Sequence, residues 1–123
     1  MQKKLLIVED DKFLGEIYQH QFDKYGFATK LVEDGEEAVK QSTQEKFDCV
    51  LLDIMIPKMD GIRVLESFKA NPKTKDLPVV VLSNLGQEEI IKKALSLGAR
   101  AYIVKSLYTP DQIVTEVKSL LGV

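Results

Sequence analysis

Four apolar runs in this chain each end in a side chain able to do chemistry. Leu5–Val8 is followed by the acids Glu9, Asp10 and Asp11, and Val50–Leu52 by Asp53. Val79–Leu82 delivers Ser83, and Tyr102–Val104 leads into Lys105. A short continuous apolar run is what a strand buried on both faces requires, which puts each polar residue at a strand's carboxyl end. In an open α/β sheet that edge is where ligands bind. Carboxylates gathered there repel and raise one another's pKa unless positive charge lies between them. A hard divalent cation answers that need, since Mg²⁺ takes one or two carboxylates together with phosphate oxygens and waters. Lys105 supplies a second, fixed positive charge. Singly, Asp10 or Asp11 reads equally well as a helix cap, Asp53 as a loop cap and Lys105 as a solvated lysine. Those readings leave the shared position of all these residues unexplained.

The elements that must hold these residues alternate along the chain. From Asp11, Leu14, Ile17, Tyr18, Phe22 and Tyr25 recur at helical spacing, and Gly26 followed by Phe27 reads as the stop. Ala28–Val32 is a second strand. Asp34 with Glu37 then resembles a capping box opening a helix whose core residues are Ala38 and Val39. Asp60 caps a third helix carrying Ile62, Leu65 and Phe68, which Asn71 and Pro72 end. The segment 73–78 is a loop. After the strand at Val79–Leu82, Ile90, Ile91, Ala94, Leu95 and Leu97 mark a fourth helix stopped by Gly98. Ala101–Val104 is the fifth strand, and Thr109, Pro110 and Gln112 provide a cap, a first-turn proline and a capping-box partner for a last helix with Ile113, Val114, Val117, Leu120 and Leu121. Five strands alternating with five helices predict one parallel sheet with right-handed crossovers and helices on both faces.

With 123 residues the chain is read as a single domain, 1–123. Seventeen Lys and Arg against nineteen Asp and Glu leave a net charge of −2 without a basic cluster, which argues against direct nucleic-acid binding. The single cysteine, Cys49, falls inside the third strand and is read as a buried, inert thiol of a reducing compartment. No apolar stretch approaches the length of a membrane span, so no membrane insertion and a cytoplasmic setting are expected. His20 lies outside the apolar stripe of its helix and reads as a solvated surface residue.

Taken together, Glu9 and Asp10, the run Asp53 to Gly61 with Pro57 and Asp60, Ser83, and Tyr102 three positions before Lys105 resemble a response-regulator receiver domain along the whole chain. The resemblance implies a flavodoxin-like fold with strand order 2-1-3-4-5. It implies Asp53 as phosphoacceptor, Glu9, Asp10 and Asp53 with the Met55 carbonyl around Mg²⁺, and Ser83 and Lys105 on the phosphoryl group. Tyr102 becomes the aromatic whose rotamer reports activation. The phosphoryl donor is then a sensor histidine kinase or phosphotransfer protein. Output passes through the face of the fourth helix, fifth strand and fifth helix to a downstream protein, or through a phosphorylation-dependent dimer.

Two positions depart from the family pattern. Ser106 stands where the family has a proline after the lysine, so a trans Lys105–Ser106 bond is expected, and Asn84 stands where a small residue is usual. The family positions that flank the phosphoryl group, Met55 and Leu85, are both apolar here, which predicts slow loss of the phosphoryl group. A haloacid-dehalogenase-like phosphatase also places an Asp after an apolar strand, but it wants a second acid where Met55 stands. A flavodoxin-like FMN carrier shares the architecture, but it wants a hydroxyl-rich loop where Glu9, Asp10 and Asp11 lie.

Overall fold

A computed structural model describes residues 2–56, 58–84 and 86–123. Its strands are β1 (Lys4–Val8), β2 (Ala28–Val32), β3 (Cys49–Asp53), β4 (Val79–Ser83) and β5 (Ala101–Val104). Its helices are α1 (Lys12–Lys24), α2 (Gly35–Gln44), α3 (Gly61–Ala70), α4 (Glu88–Ser96) and α5 (Pro110–Leu121). A 3-10 turn at Lys105–Leu107, which periodicity does not signal, links β5 to α5.

The strands form one sheet in the order β2-β1-β3-β4-β5, and every pair is parallel. The central strands β3 and β4 are buried at every residue, as continuous apolar runs covered on both faces should be. Alternation along the strands divides the core in two. Leu5, Ile7, Leu51, Val80, Leu82 and Ile103 face Tyr18 and Phe22 of α1 and Ile113, Val114 and Val117 of α5. Leu6, Val8, Val50, Leu52, Val79 and Val81 face Ala38 of α2, Val64, Leu65 and Phe68 of α3 and Ala94 of α4.

Helix starts follow local chemistry. Asp11, Asp34, Asp60 and Thr109 each accept a hydrogen bond from a first-turn amide, and Thr109 with Gln112 completes a capping box. At α2 the expected box is only half made. Asp34 accepts from the Glu37 amide, but the Glu37 carboxylate accepts instead from the Gln41 side chain. Two further departures concern helix faces. Tyr25 and Leu95, which share the apolar periodicity of α1 and α4, are 46% and 39% exposed. Conversely, Gly35 and Ser42 join Ala38 on the buried face of α2, where apolar spacing alone does not find them. Among the described residues no helix is long and apolar enough to cross a membrane.

Candidate functional site

One row of alternate residues builds the site. Ile7, Leu51 and Ile103 all point to the α1/α5 face. Two residues further along each strand path stand Glu9, Asp53 and Lys105, so a period of two carries all three side chains to that same face. Lys105 starts beyond β5 and must cross β4 to reach β3 and β1. Its Nζ lies 2.7 Å from Asp53 Oδ2 and 2.7 Å from Glu9 Oε1, and so bridges the two carboxylates. The remaining oxygens are held by backbone. Asp53 Oδ1 accepts from the Met55 amide at 3.1 Å, and Glu9 Oε2 from the Asp11 amide at 3.2 Å.

Burial sets the electrostatics. Glu9 and Asp53 are almost wholly buried, at 1% and 4% exposure, whereas Asp10 is exposed. Desolvation, reinforced by the neighbouring Asp53, pushes the Glu9 carboxyl up to about 7 despite the opposing Lys105 charge. Burial pulls the Lys105 ammonium the other way, but its hydrogen bonds to Asp53 and Glu9 outweigh that and leave its pKa raised. The proton balance of this cluster is therefore tight, and a further positive charge would favour full ionisation. Carboxylate oxygens of Glu9, Asp10 and Asp53 all lie within 4.8 Å of one another, a set of hard oxygen donors on one side of a cavity. That donor set fits Mg²⁺.

The cavity has a volume of about 510 Å³ and is lined by these residues together with Met55, Asn84 and Tyr18, among others. Tyr18, which its helical spacing marks only as a core residue, lies beneath the site, and burial holds its phenol up to about 12. A larger hollow of about 770 Å³, between the α2–β3 and α3–β4 connections, contains none of the predicted site residues.

Ser83, the last residue of β4, is fully buried, and its Oγ has no hydrogen-bond partner among the described residues. An unmatched buried hydroxyl is costly and marks a place where a ligand oxygen is wanted. Asn84 beside it is exposed and spends its amide N–H on Gln87 Oε1 at 2.7 Å. The Lys105–Ser106 bond is trans, and Ser106 sits in the 3-10 turn at the cavity rim. Met55 is 54% exposed at the cavity, and Tyr102 is 47% exposed beside Ile91, Leu95 and Leu107 in a separate hollow between α4 and β5. Leu85, expected to flank the phosphoryl group, and Pro57 of the loop motif lie outside the described residues. Cys49 is buried, and desolvation pushes its thiol up to about 12, as an inert core cysteine requires. His20 is exposed.

Comparison with known proteins gives a consistent result. The response regulator receiver domain profile matches residues 5–118. The chain is 32% identical to the alkaline phosphatase synthesis transcriptional regulatory protein PhoP of Bacillus subtilis (strain 168), over 98% of this chain and 49% of that protein. It is 33% identical to the phosphate regulon transcriptional regulatory protein PhoB of Escherichia coli (strain K12), over 98% of this chain and 52% of that one. It thus spans about half the length of these two regulators. A solved structure described as a response regulator from Chloroflexus aurantiacus J-10-fl superposes with a TM-score of 0.92 at 28% identity, covering 100% of both chains.

Proposed function

Because the chain belongs to the response regulator receiver domain family, and so to two-component phosphoacceptor signalling, we propose that Asp53 is the phosphoacceptor and that Glu9, Asp10, Ser83 and Lys105 serve it. The observation that carries this reading is the Lys105 ammonium, 2.7 Å from both Asp53 and Glu9 in a cavity whose third acid is Asp10. A carboxylate oxygen of Asp53 attacks the phosphorus of a kinase phosphohistidine. The new O–P bond forms as the P–N bond breaks, and the imidazole nitrogen leaves with that electron pair. Such transfers have loose transition states, so positioning and charge neutralisation carry most of the catalysis.

The Met55 amide and the Lys105 ammonium fix the Asp53 rotamer from opposite oxygens, which pre-sets the angle of attack. Glu9, Asp10 and Asp53, with the Met55 carbonyl, are the groups that would hold Mg²⁺. When bound, the ion supplies charge neutralisation for the phosphoryl oxygens. The unpartnered Ser83 hydroxyl donates to a phosphoryl oxygen, and Lys105 follows the added negative charge. Both lie next to segments leading into α4 and α5, so aspartyl phosphate biases the face of α4, β5 and α5, where Tyr102 is exposed. The output is a changed binding surface for a target protein or for a second copy of the chain, in the cytoplasm. A phosphatase of the haloacid-dehalogenase type lacks its second acid, since Met55 occupies that place.

Incubation with acetyl phosphate and Mg²⁺ should add one phosphoryl mass to the wild type and none to Asp53→Asn, with chelation by EDTA abolishing the gain. Labelling of Asp53→Asn equal to wild type, or labelling indifferent to chelation, would falsify the assignment.

A further inference from the structure

The loop after Asp53 is pressed between two glycines whose backbones are ordinary. Gly35 opens α2 and Gly61 opens α3, and neither is among the glycines with positive φ. A methyl group built on Gly35 would lie 2.0 Å from the Met59 carbonyl oxygen and 2.8 Å from both the Met59 carbonyl carbon and its Cβ. One built on Gly61 would lie 2.6 Å from Ile54 Cα and 3.1 Å from the Asp53 carbonyl oxygen. The nearest obstacles are backbone atoms, which cannot rotate aside as a side chain does. Alanine is the better helix former at an unencumbered helical position, so the bare position at Gly35 answers to the neighbouring loop and not to α2 itself.

This contact reaches the site through the loop backbone. The Gly61 amide donates to the Ile54 carbonyl at 2.9 Å and closes the loop on itself, while the Met55 amide holds Asp53 Oδ1 at 3.1 Å. A second tie joins the same two segments: Lys58 Nζ lies 3.6 Å from Asp34 Oδ2, and Asp34 caps α2. Anything that lifts Met59 off α2 therefore moves the segment carrying the Met55 amide and carbonyl relative to the end of β3. We propose that Gly35 is a positioning residue of the phosphorylation site, whose missing side chain lets α2 seat the Met59 carbonyl and so fixes Met55 against Asp53. The proposal rests on the reading of Asp53 as an Mg²⁺-dependent phosphoacceptor.

The test compares Gly35→Ala with wild type and with Gly15→Ala. Gly15 is a less crowded control, since its added methyl would lie 2.7 Å from Leu31 Cδ1, and that obstacle is a side chain packed on the opposite face of the sheet from Met59. Mg²⁺ affinity is measured by calorimetry without a phosphoryl donor, the fold by circular dichroism and melting, and labelling by acetyl phosphate at saturating Mg²⁺. Gly35→Ala should fold, bind Mg²⁺ about ten-fold more weakly, as loss of outer support for a metal site does, and label more slowly. Gly15→Ala should lose melting temperature alone. An unchanged Mg²⁺ affinity in folded Gly35→Ala, an equal weakening in Gly15→Ala, or loss of the fold in Gly35→Ala overturns the proposal, because the glycine then serves the fold and not the site. Wild-type protein that binds no Mg²⁺ or takes no phosphoryl group sinks the parent reading, and this one with it.

Discussion

Glu9 and Asp53 are both buried acids at strand ends, and the chain engages their oxygens in the same way. Lys105 takes one oxygen of each, and the second oxygen goes to a backbone amide, that of Asp11 for Glu9 and that of Met55 for Asp53. Met55 therefore contributes through its backbone, while its side chain stands 54% exposed at the cavity. Hydrolysis of an aspartyl phosphate needs a water in line with the phosphorus, and a thioether excludes such a water without orienting it. Met55→Asn should lose its phosphoryl group about five-fold faster than wild type, which is what roughly 1 kcal/mol from one water-orienting hydrogen bond amounts to. The measurement is the decay of phosphorylated protein at saturating Mg²⁺. Equal decay rates would mean that this side chain does not govern water access.

At the level of elements, the helices differ in how firmly their first turns are tied down. The Asp60 side chain accepts from the Arg63 amide at 3.0 Å and so caps the helix that leaves the loop after Asp53. Helix α4 has Gln87 at its N-cap position without any side-chain cap, because the Gln87 side-chain oxygen accepts from the Asn84 backbone N–H. Asp60→Ala should cost about 1 kcal/mol in urea unfolding, the usual value of a lost N-cap, whereas Gln87→Ala removes no cap and should cost clearly less. A larger loss for Gln87→Ala would reverse this ranking and place the stronger anchor on α4. The weaker tie falls on the helix beside the exposed Tyr102, the face through which output is proposed to run.

For the whole molecule, the same acid cluster makes stability depend on pH when metal is withheld. The folded Glu9 carboxyl titrates near 7 against an ordinary value of 4.5, so between those values the folded state keeps a proton that the unfolded state has released. The contribution is fully present below the unfolded value and is lost as pH rises through the folded one. In EDTA the wild type should therefore lose more melting temperature between about pH 5 and about pH 7.5 than Glu9→Gln does. Mg²⁺ added at the higher pH should restore stability to the wild type, because it binds the folded state alone. Parallel pH profiles for wild type and Glu9→Gln would remove Glu9 as the source.

Strand positions, helix caps and the placement of Glu9, Asp10, Asp53, Ser83 and Lys105 at strand ends are all legible in the sequence, because each is a local pattern: a run, a period or a cap within one turn. Alternation of strands and helices establishes the parallel sheet, but the order β2-β1-β3-β4-β5 is expected from family resemblance alone, since periodicity says nothing about which strands are neighbours. The tertiary structure decides what depends on distant segments meeting. Lys105 reaches Glu9 across 96 residues of chain and Asp53 across 52 because two parallel crossovers leave only β4 between β5 and β3. Tyr18 looks like any core aromatic on its helix until α1 is laid over the cavity. Gly35 reads as an unremarked first-turn glycine because its constraint is the Met59 carbonyl of another segment, and a close approach between two backbones leaves no periodic mark in either. Local free energies write themselves into neighbouring residues, whereas contacts made by packing exist only once the sheet has brought its edges together.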